Sequence, residues 1–219
     1  LTDYAAHLLA ESRRGVTSEN NGAIPFLQAM WPAGLKPEHQ LVVCRHLGMP
    51  EPTSPGMVDP ESDKALQAAI EAWIKGMLPP EVEVDVDEVE EEDEEGLFDD
   101  FGSEDDVGTE FEGEVTLEDR YWDLMSHAQE YPWRRSEIPL LAKWIDDNQE
   151  HFDLLHEAAR REKFYLPPAD LLVNPKKDLL STALPAVQAQ RAVAQCLTTR
   201  GLLFLGEGDA AAAWKECET

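Results

Sequence analysis

From Glu81 to Asp119 the chain carries twenty-one acidic residues and not one Lys or Arg. A core cannot be built from such a stretch, because each ionised carboxylate taken out of water without a partner costs more than neighbouring apolar contacts return. The stretch therefore divides the chain, and any core must come from the two flanks. Those flanks are nearly balanced. The 219 residues hold 45 Asp and Glu against 18 Lys and Arg, a net charge of −27, yet outside the stretch only 24 acids face the same 18 bases. The organisation that follows is an N-terminal helical part over 1–80, an acidic insert over 81–115 and a helical-hairpin part over 116–219, with the two helical parts expected to pack as one domain.

The insert begins with an apolar–acidic alternation from Glu81 to Asp87, a strand period. Like charges crowded on one face oppose a strand, and the composition predicts a disordered or loosely held loop, since too little apolar surface is available to offset the entropy of ordering. Its charge repels nucleic acid, whose binding needs Lys and Arg on the phosphates, and anionic lipid surfaces. Basic proteins and loosely held divalent cations are the compatible partners. Asp85-Val86-Asp87 and the acids after it lack the glycine and ligand spacing of an EF-hand loop. No cofactor is implied. Leu97, Phe98, Phe101 and Phe111 interrupt the acids, and an acidic–hydrophobic mixture is the composition of segments that dock on a partner.

The flanks read as helices. Thr2 precedes a helix that ends near Gly15. Pro25 opens a second after a turn, and Pro37 sits at the first turn of a third that Gly48 stops. Residues 49–60, with four prolines, form a loop. Leu66, Ile70, Trp73, Ile74 and Met77 recur at helical spacing. After the insert, Thr116-Leu117-Glu118-Asp119 is a capping sequence, followed by a stripe of Tyr121, Trp122, Met125 and Ala128. Pro139 opens a helix with Ile138, Leu141, Trp144 and Ile145 inward. Asp147 or Asn148 caps the next, and the short connection predicts an antiparallel pair. Residues 164–176 are irregular, and a long helix runs from about Pro185 to Leu205. The fold class is all-α. Trp73, Trp122, Trp144 and Trp214 each fall on an apolar helix face and are expected in the core.

Chemical motifs are missing. There is no HExxH, GxSxG, P-loop or GxGxxG. His151 and His156 are five apart and face differently around a helix. His39 and His46 flank Cys44 but lie two turns apart, about 10 Å by helical rise, too far to share an ion alone. Cys44, Cys196 and Cys217 contain no CxxC pair and are too scattered for a disulfide framework; one disulfide stays open. No apolar run reaches the roughly 18–20 residues that span a bilayer.

Ala194 to Cys217 resembles a tetratricopeptide repeat, a unit of about 34 residues in two antiparallel helices that press small residues together. The resemblance puts Leu197, Gly201 and Phe204 at the large, small and aromatic positions of the first helix, Gly208 in the turn and Ala213 at a small position of the second. Arg200 stands where Leu is common, and Cys217 replaces a larger apolar residue. The chain as a whole resembles an uncharacterised family of planctomycete-type bacterial proteins. The residues that carry this are Leu1-Thr2-Asp3-Tyr4-Ala5, the run Glu19 to Phe26 with Trp31, the run His156 to Tyr165 with Pro167, and Leu202 to Trp214. The acidic insert departs from that family's pattern. The resemblance implies a helical domain in the bacterial envelope or periplasm, held by an anchor upstream of Leu1. Because the chain starts without Met and Thr219 falls inside a predicted helix, an N-terminal portion of a longer protein is expected. The function expected is a noncatalytic protein-binding or scaffolding module. The alternatives are a hydrolase-like enzyme with its site largely outside this chain, marked by a cleft at His127 or His151, or a structural assembly component.

Overall fold

The computed structural model describes residues 4–77, 116–174 and 179–218. The acidic segment 81–115, with Leu97, Phe98, Phe101 and Phe111, lies outside the described residues. Those that are described form an all-α protein. In chain order the helices are α1 (Tyr4–Ser12), α2 (Ala23–Met30), α3 (Pro37–Leu47), α4 (Lys64–Met77), α5 (Leu117–Glu130), α6 (Pro139–Asp147), α7 (Gln149–Arg160), α8 (Ala169–Val173), α9 (Leu179–Gly206) and α10 (Ala210–Cys217).

The helix ends follow local chemistry. Pro37 starts α3, and Gly48 stops it at φ 72°, its amide donating to Arg45 O while Met49 N donates to Cys44 O. Gly tolerates that left-handed conformation without a Cβ clash. Asp63 caps α4 by accepting from Ala65 N and Leu66 N at 3.0 and 3.1 Å. Thr116 and Asp119 cap α5 reciprocally: Asp119 N donates to Thr116 Oγ1 at 3.1 Å and Thr116 N donates to Asp119 Oδ2 at 2.9 Å. These bonds hold the Asp119 carboxyl below its ordinary pKa. Asp209 caps α10 through Ala212 N.

Packing joins the two flanks of the acidic stretch. α2 packs on α7, α4 on α5 and α6, and α3 on α8. The antiparallel α6–α7 pair expected from the short connection does not form. Asn148 alone separates the helices, its side-chain amide donates back to Trp144 O, and α6 goes to α4 while α7 goes to α2. Leu27, Ile70, Tyr121, Met125, Leu141, Ile145, Phe152 and Leu203 are fully buried in one continuous core. Each aliphatic or Phe side chain of that kind contributes about 1.5–3 kcal/mol.

Two tryptophans depart from expectation. Trp144 is buried and Trp73 half-buried, but Trp122 is 42% exposed and Trp214 66% exposed. Each sits one residue, about 100° of helix rotation, from the residue its helix buries most closely beside it: Tyr121 on α5 and Ala213 on α10. The fully buried tryptophan is Trp133, outside any helix. Its Nε1 donates to Thr199 O at 3.2 Å and its amide to Leu202 O at 3.3 Å, which lays the segment after α5 along α9. α9 itself begins at Leu179, ahead of Pro185.

Candidate protein-binding groove

α9 is 28 residues long, about 42 Å by helical rise. Gly206 ends it, Gly208 turns at φ 84°, and α10 folds back along its last turns. The residues singled out by the repeat-like pattern fall as follows. Leu197, Gly201 and Ala213 are buried at the α9–α10 contact and line an open groove between the helices. Gly208 is in the turn. Phe204 points elsewhere, against the Arg200 guanidinium at 5.2 Å. A Cβ at Gly201 would meet Glu216 Cβ at 3.6 Å, ordinary contact, so the helices are close but not so close that only Gly fits.

The groove has a volume of about 500 Å³ and an overwhelmingly apolar surface. Leu205 and Trp214, 44% and 66% exposed, stand on its walls, and the exposed Cys217 also lines it. A volume in this range suits a small-molecule pocket as well as a peptide. An open apolar trough between two helices can receive a third helix. The hairpin around it is acidic: apart from the buried Glu216, the chain from Leu205 to Glu218 has Glu207, Asp209 and Glu218 against Lys215.

Beneath the groove lies a buried polar network that sequence reasoning missed. Glu216, 5% exposed, faces Arg200 and His156, 6% and 5% exposed. Arg200 Nη1 is 3.4 Å from Glu216 Oε1, and His156 Nε2 is 3.3 Å from Glu216 Oε2. Arg200 Nη2 donates to Gln149 Oε1 at 2.9 Å, and the guanidinium lies over the Phe152 ring at 4.4 Å. The Arg200–Glu216 contact holds by charge and distance, while Arg200 Nε and Nη1 gain no hydrogen bond from the described residues. Burial lowers the Arg200 pKa, with Glu216 opposing. Burial also pushes the His156 imidazole below its ordinary value, and the favourable field of Glu216 does not overcome this. The network thus sets a guanidinium against a carboxyl beside an imidazole that burial biases toward its neutral form, and it locks α7, α9 and α10 together under an apolar surface. The signal was Arg200 at a position where the repeat pattern has Leu.

The other histidines go to separate places. His39 pairs with Asp170 at 3.5 Å, His46 contacts the Tyr165 hydroxyl at 3.1 Å, and His127 stacks on Tyr131. His127 and His151 do not line the groove. Among the described residues no three His, Cys, Asp or Glu gather into a metal-holding group, and the three cysteines are free. No described helix is long and apolar enough to cross a membrane.

Fold and groove together define an all-α protein with an exposed helical-hairpin groove. Compared with protein-family models, curated proteins and solved structures, the chain matches none.

Proposed function

We propose that this chain is a noncatalytic protein-binding or scaffolding module whose α9–α10 groove receives an amphipathic partner helix with basic flanks. The observation that carries the reading is the apolar groove with Trp214 and Leu205 exposed on its walls. Large exposed aromatics beside an apolar trough are the usual energetic anchors of a protein interface. α10 is eight residues long, about 12 Å, enough for two to three turns of a docked helix. The acidic rim and the chain's net charge of −27 select basic flanks on that helix. In this reading Leu97, Phe98, Phe101 and Phe111 of the acidic stretch add a second contact to the same basic partner. The tetratricopeptide-like character of the hairpin and a place in the bacterial envelope belong to the proposal on the strength of the sequence resemblance alone.

The test uses a synthetic helical peptide with Leu at i, i+3, i+4 and i+7 and Lys at both ends, titrated calorimetrically into the whole chain. Binding should weaken by about tenfold or more when the flanks are Glu, and likewise in Gly201→Leu, which fills the trough. Equal affinity for both peptides, or for both proteins, would sink the reading. Deleting 81–115 should weaken the Lys-flanked peptide further at low salt; unchanged affinity there removes the acidic stretch from the interface.

A further inference from the structure

A second cavity, of about 290 Å³, shares no lining residue with the groove. It lies between the segment after α1, the C-terminal end of α3 and Tyr165. Arg13, Arg45, His46, Tyr165, Thr17 and Ser18 line it, and among the described residues no carboxylate does. In a chain with 45 acidic and 18 basic residues, such a lining runs against composition.

Glu11 pairs with Arg14 at 3.6 Å rather than with Arg13, and among the described residues neither Arg13 nor Arg45 has a carboxylate within ion-pair distance. Arg13 is close enough to act on two other groups of the cavity. Burial first, then the Arg13 charge, lowers the His46 pKa; burial raises that of Tyr165, with Arg13 opposing. His46 Nε2 and the Tyr165 hydroxyl lie 3.1 Å apart and share one hydrogen bond. The cavity floor is rigid, because Asn21 and Tyr165, 1% and 5% exposed, are bonded to each other there. The C-terminal carbonyls of α3, like the chain's net charge of −27, disfavour an anion. Two of them, Cys44 O and Arg45 O, are already occupied by the amides of Met49 and Gly48.

Two arginines lining one cavity favour an anion held between them. The forked donors of Arg match the oxygens of phosphate in pairs. Hydroxyls of Tyr165, Thr17 and Ser18 supply neutral donors around the same space. The volume falls just under the roughly 300–1,000 Å³ of drug-sized sites, which points to a small ligand. We propose that this cavity binds a phosphate group, either inorganic phosphate or that of a small phosphomonoester, clamped between Arg13 and Arg45 with the Tyr165 hydroxyl as a third contact.

The experiment is calorimetric titration of the whole chain at low ionic strength with inorganic phosphate, with phenyl phosphate and, as a carboxylate of similar charge, with succinate. Saturable one-to-one binding of either phosphate species with Kd below about 1 mM is expected, and the ratio of the two affinities tells which source the site favours. The double variant R13Q/R45Q should lose at least about tenfold in affinity. Both arginines are exposed, so the core and circular dichroism should not change. Tyr165→Phe keeps the backbone bonds to Asn21 and should lose a few-fold. Absence of saturation up to about 10 mM, equal affinity in the double variant, or succinate binding as tightly as phosphate would each overturn the proposal.

Discussion

Asn21 takes both backbone polar groups of Tyr165, across 144 residues of chain. Tyr165 N donates to Asn21 Oδ1 at 2.8 Å, and Asn21 Nδ2 donates to Tyr165 O at 3.0 Å. The side-chain amide thus imitates a strand neighbour, and the imitation extends along the backbone: Gly22 N donates to Lys163 O and Lys163 N to Asn20 O. Gly22 is needed for this approach, since a Cβ there would lie 2.3 Å from Ala158 O. The clamp ties the sequence before the acidic stretch to the sequence after it.

Asn21→Leu should therefore cost about 3 kcal/mol or more, because it strands Tyr165 N, Tyr165 O and also Ala23 N, buried groups worth about 1–3 kcal/mol each. Asn21→Asp keeps the acceptor for Tyr165 N but loses the donor to Tyr165 O and buries a charge, so it should also destabilise. Urea unfolding of the three proteins measures this. A loss below about 1 kcal/mol for Asn21→Leu would mean that water or a shifted backbone replaces the clamp.

The buried Arg200–Glu216 pair gives a sharper contrast. Glu216→Leu leaves a buried guanidinium uncompensated and should cost about 3–5 kcal/mol. The double change Arg200→Met with Glu216→Leu removes both charges into similar volume and should cost much less than either single change, since Arg200 Nε and Nη1 already lack hydrogen bonds from the described residues. Additive losses in a double-mutant cycle by denaturant unfolding would show that the two residues do not act as a pair.

Much of this architecture was legible where chemistry is local. Pro37, Gly48 and the Thr116–Asp119 box announce their helix ends, because a cap involves residues three or four apart. Partner choice was not legible. α7 joins α2 rather than α6, a choice made by packing between remote segments, and Trp133 is buried from an irregular segment with no period to reveal it. The misplaced tryptophans share one cause: an apolar stripe gives a face its direction only to within a residue, and Trp122 and Trp214 lie at its edge. At the groove, the repeat-like pattern found Leu197, Gly201 and Ala213 because small-residue contacts between neighbouring helices are local. The network below it was hidden, since His156, Arg200 and Glu216 read in sequence as solvated charges. Arg13, Arg45, His46 and Tyr165 come from both sides of the acidic stretch, and nothing in linear spacing brings them together.

Acid should weaken the fold as pH falls through the histidine range. His156 and His46 have folded pKa values below the ordinary 6.5, each chiefly through burial. The unfolded chain then binds more protons than the folded one as pH falls through about 6.5, so stability declines there and levels off below the folded values. Unfolding free energy measured from pH 7.5 to 5 should show this slope. In H46Q/H156Q the slope should flatten over the same window, even if the double variant is less stable throughout. An unchanged slope would assign the effect to other groups.

Gly201 and Gly206, five residues apart on α9, should respond oppositely to the same methyl group. At Gly201 a Cβ meets Glu216 Cβ at 3.6 Å and Ala213 O at 3.8 Å, both ordinary contacts. Ala there removes the entropy cost of glycine inside a helix and should stabilise by about 0.5–1 kcal/mol. At Gly206 the same atom would lie 1.9 Å from Trp133 O and 2.4 Å from Trp133 C. Both are rigid backbone, so Gly206→Ala must push the segment after α5 off α9 and break the Trp133 N–Leu202 O contact. A loss of about 2 kcal/mol or more is expected, in the range of overpacked cores. Thermal unfolding should thus raise Tm for Gly201→Ala and lower it for Gly206→Ala. Equal shifts of one sign would mean that the Trp133 segment does not sit against α9 as described.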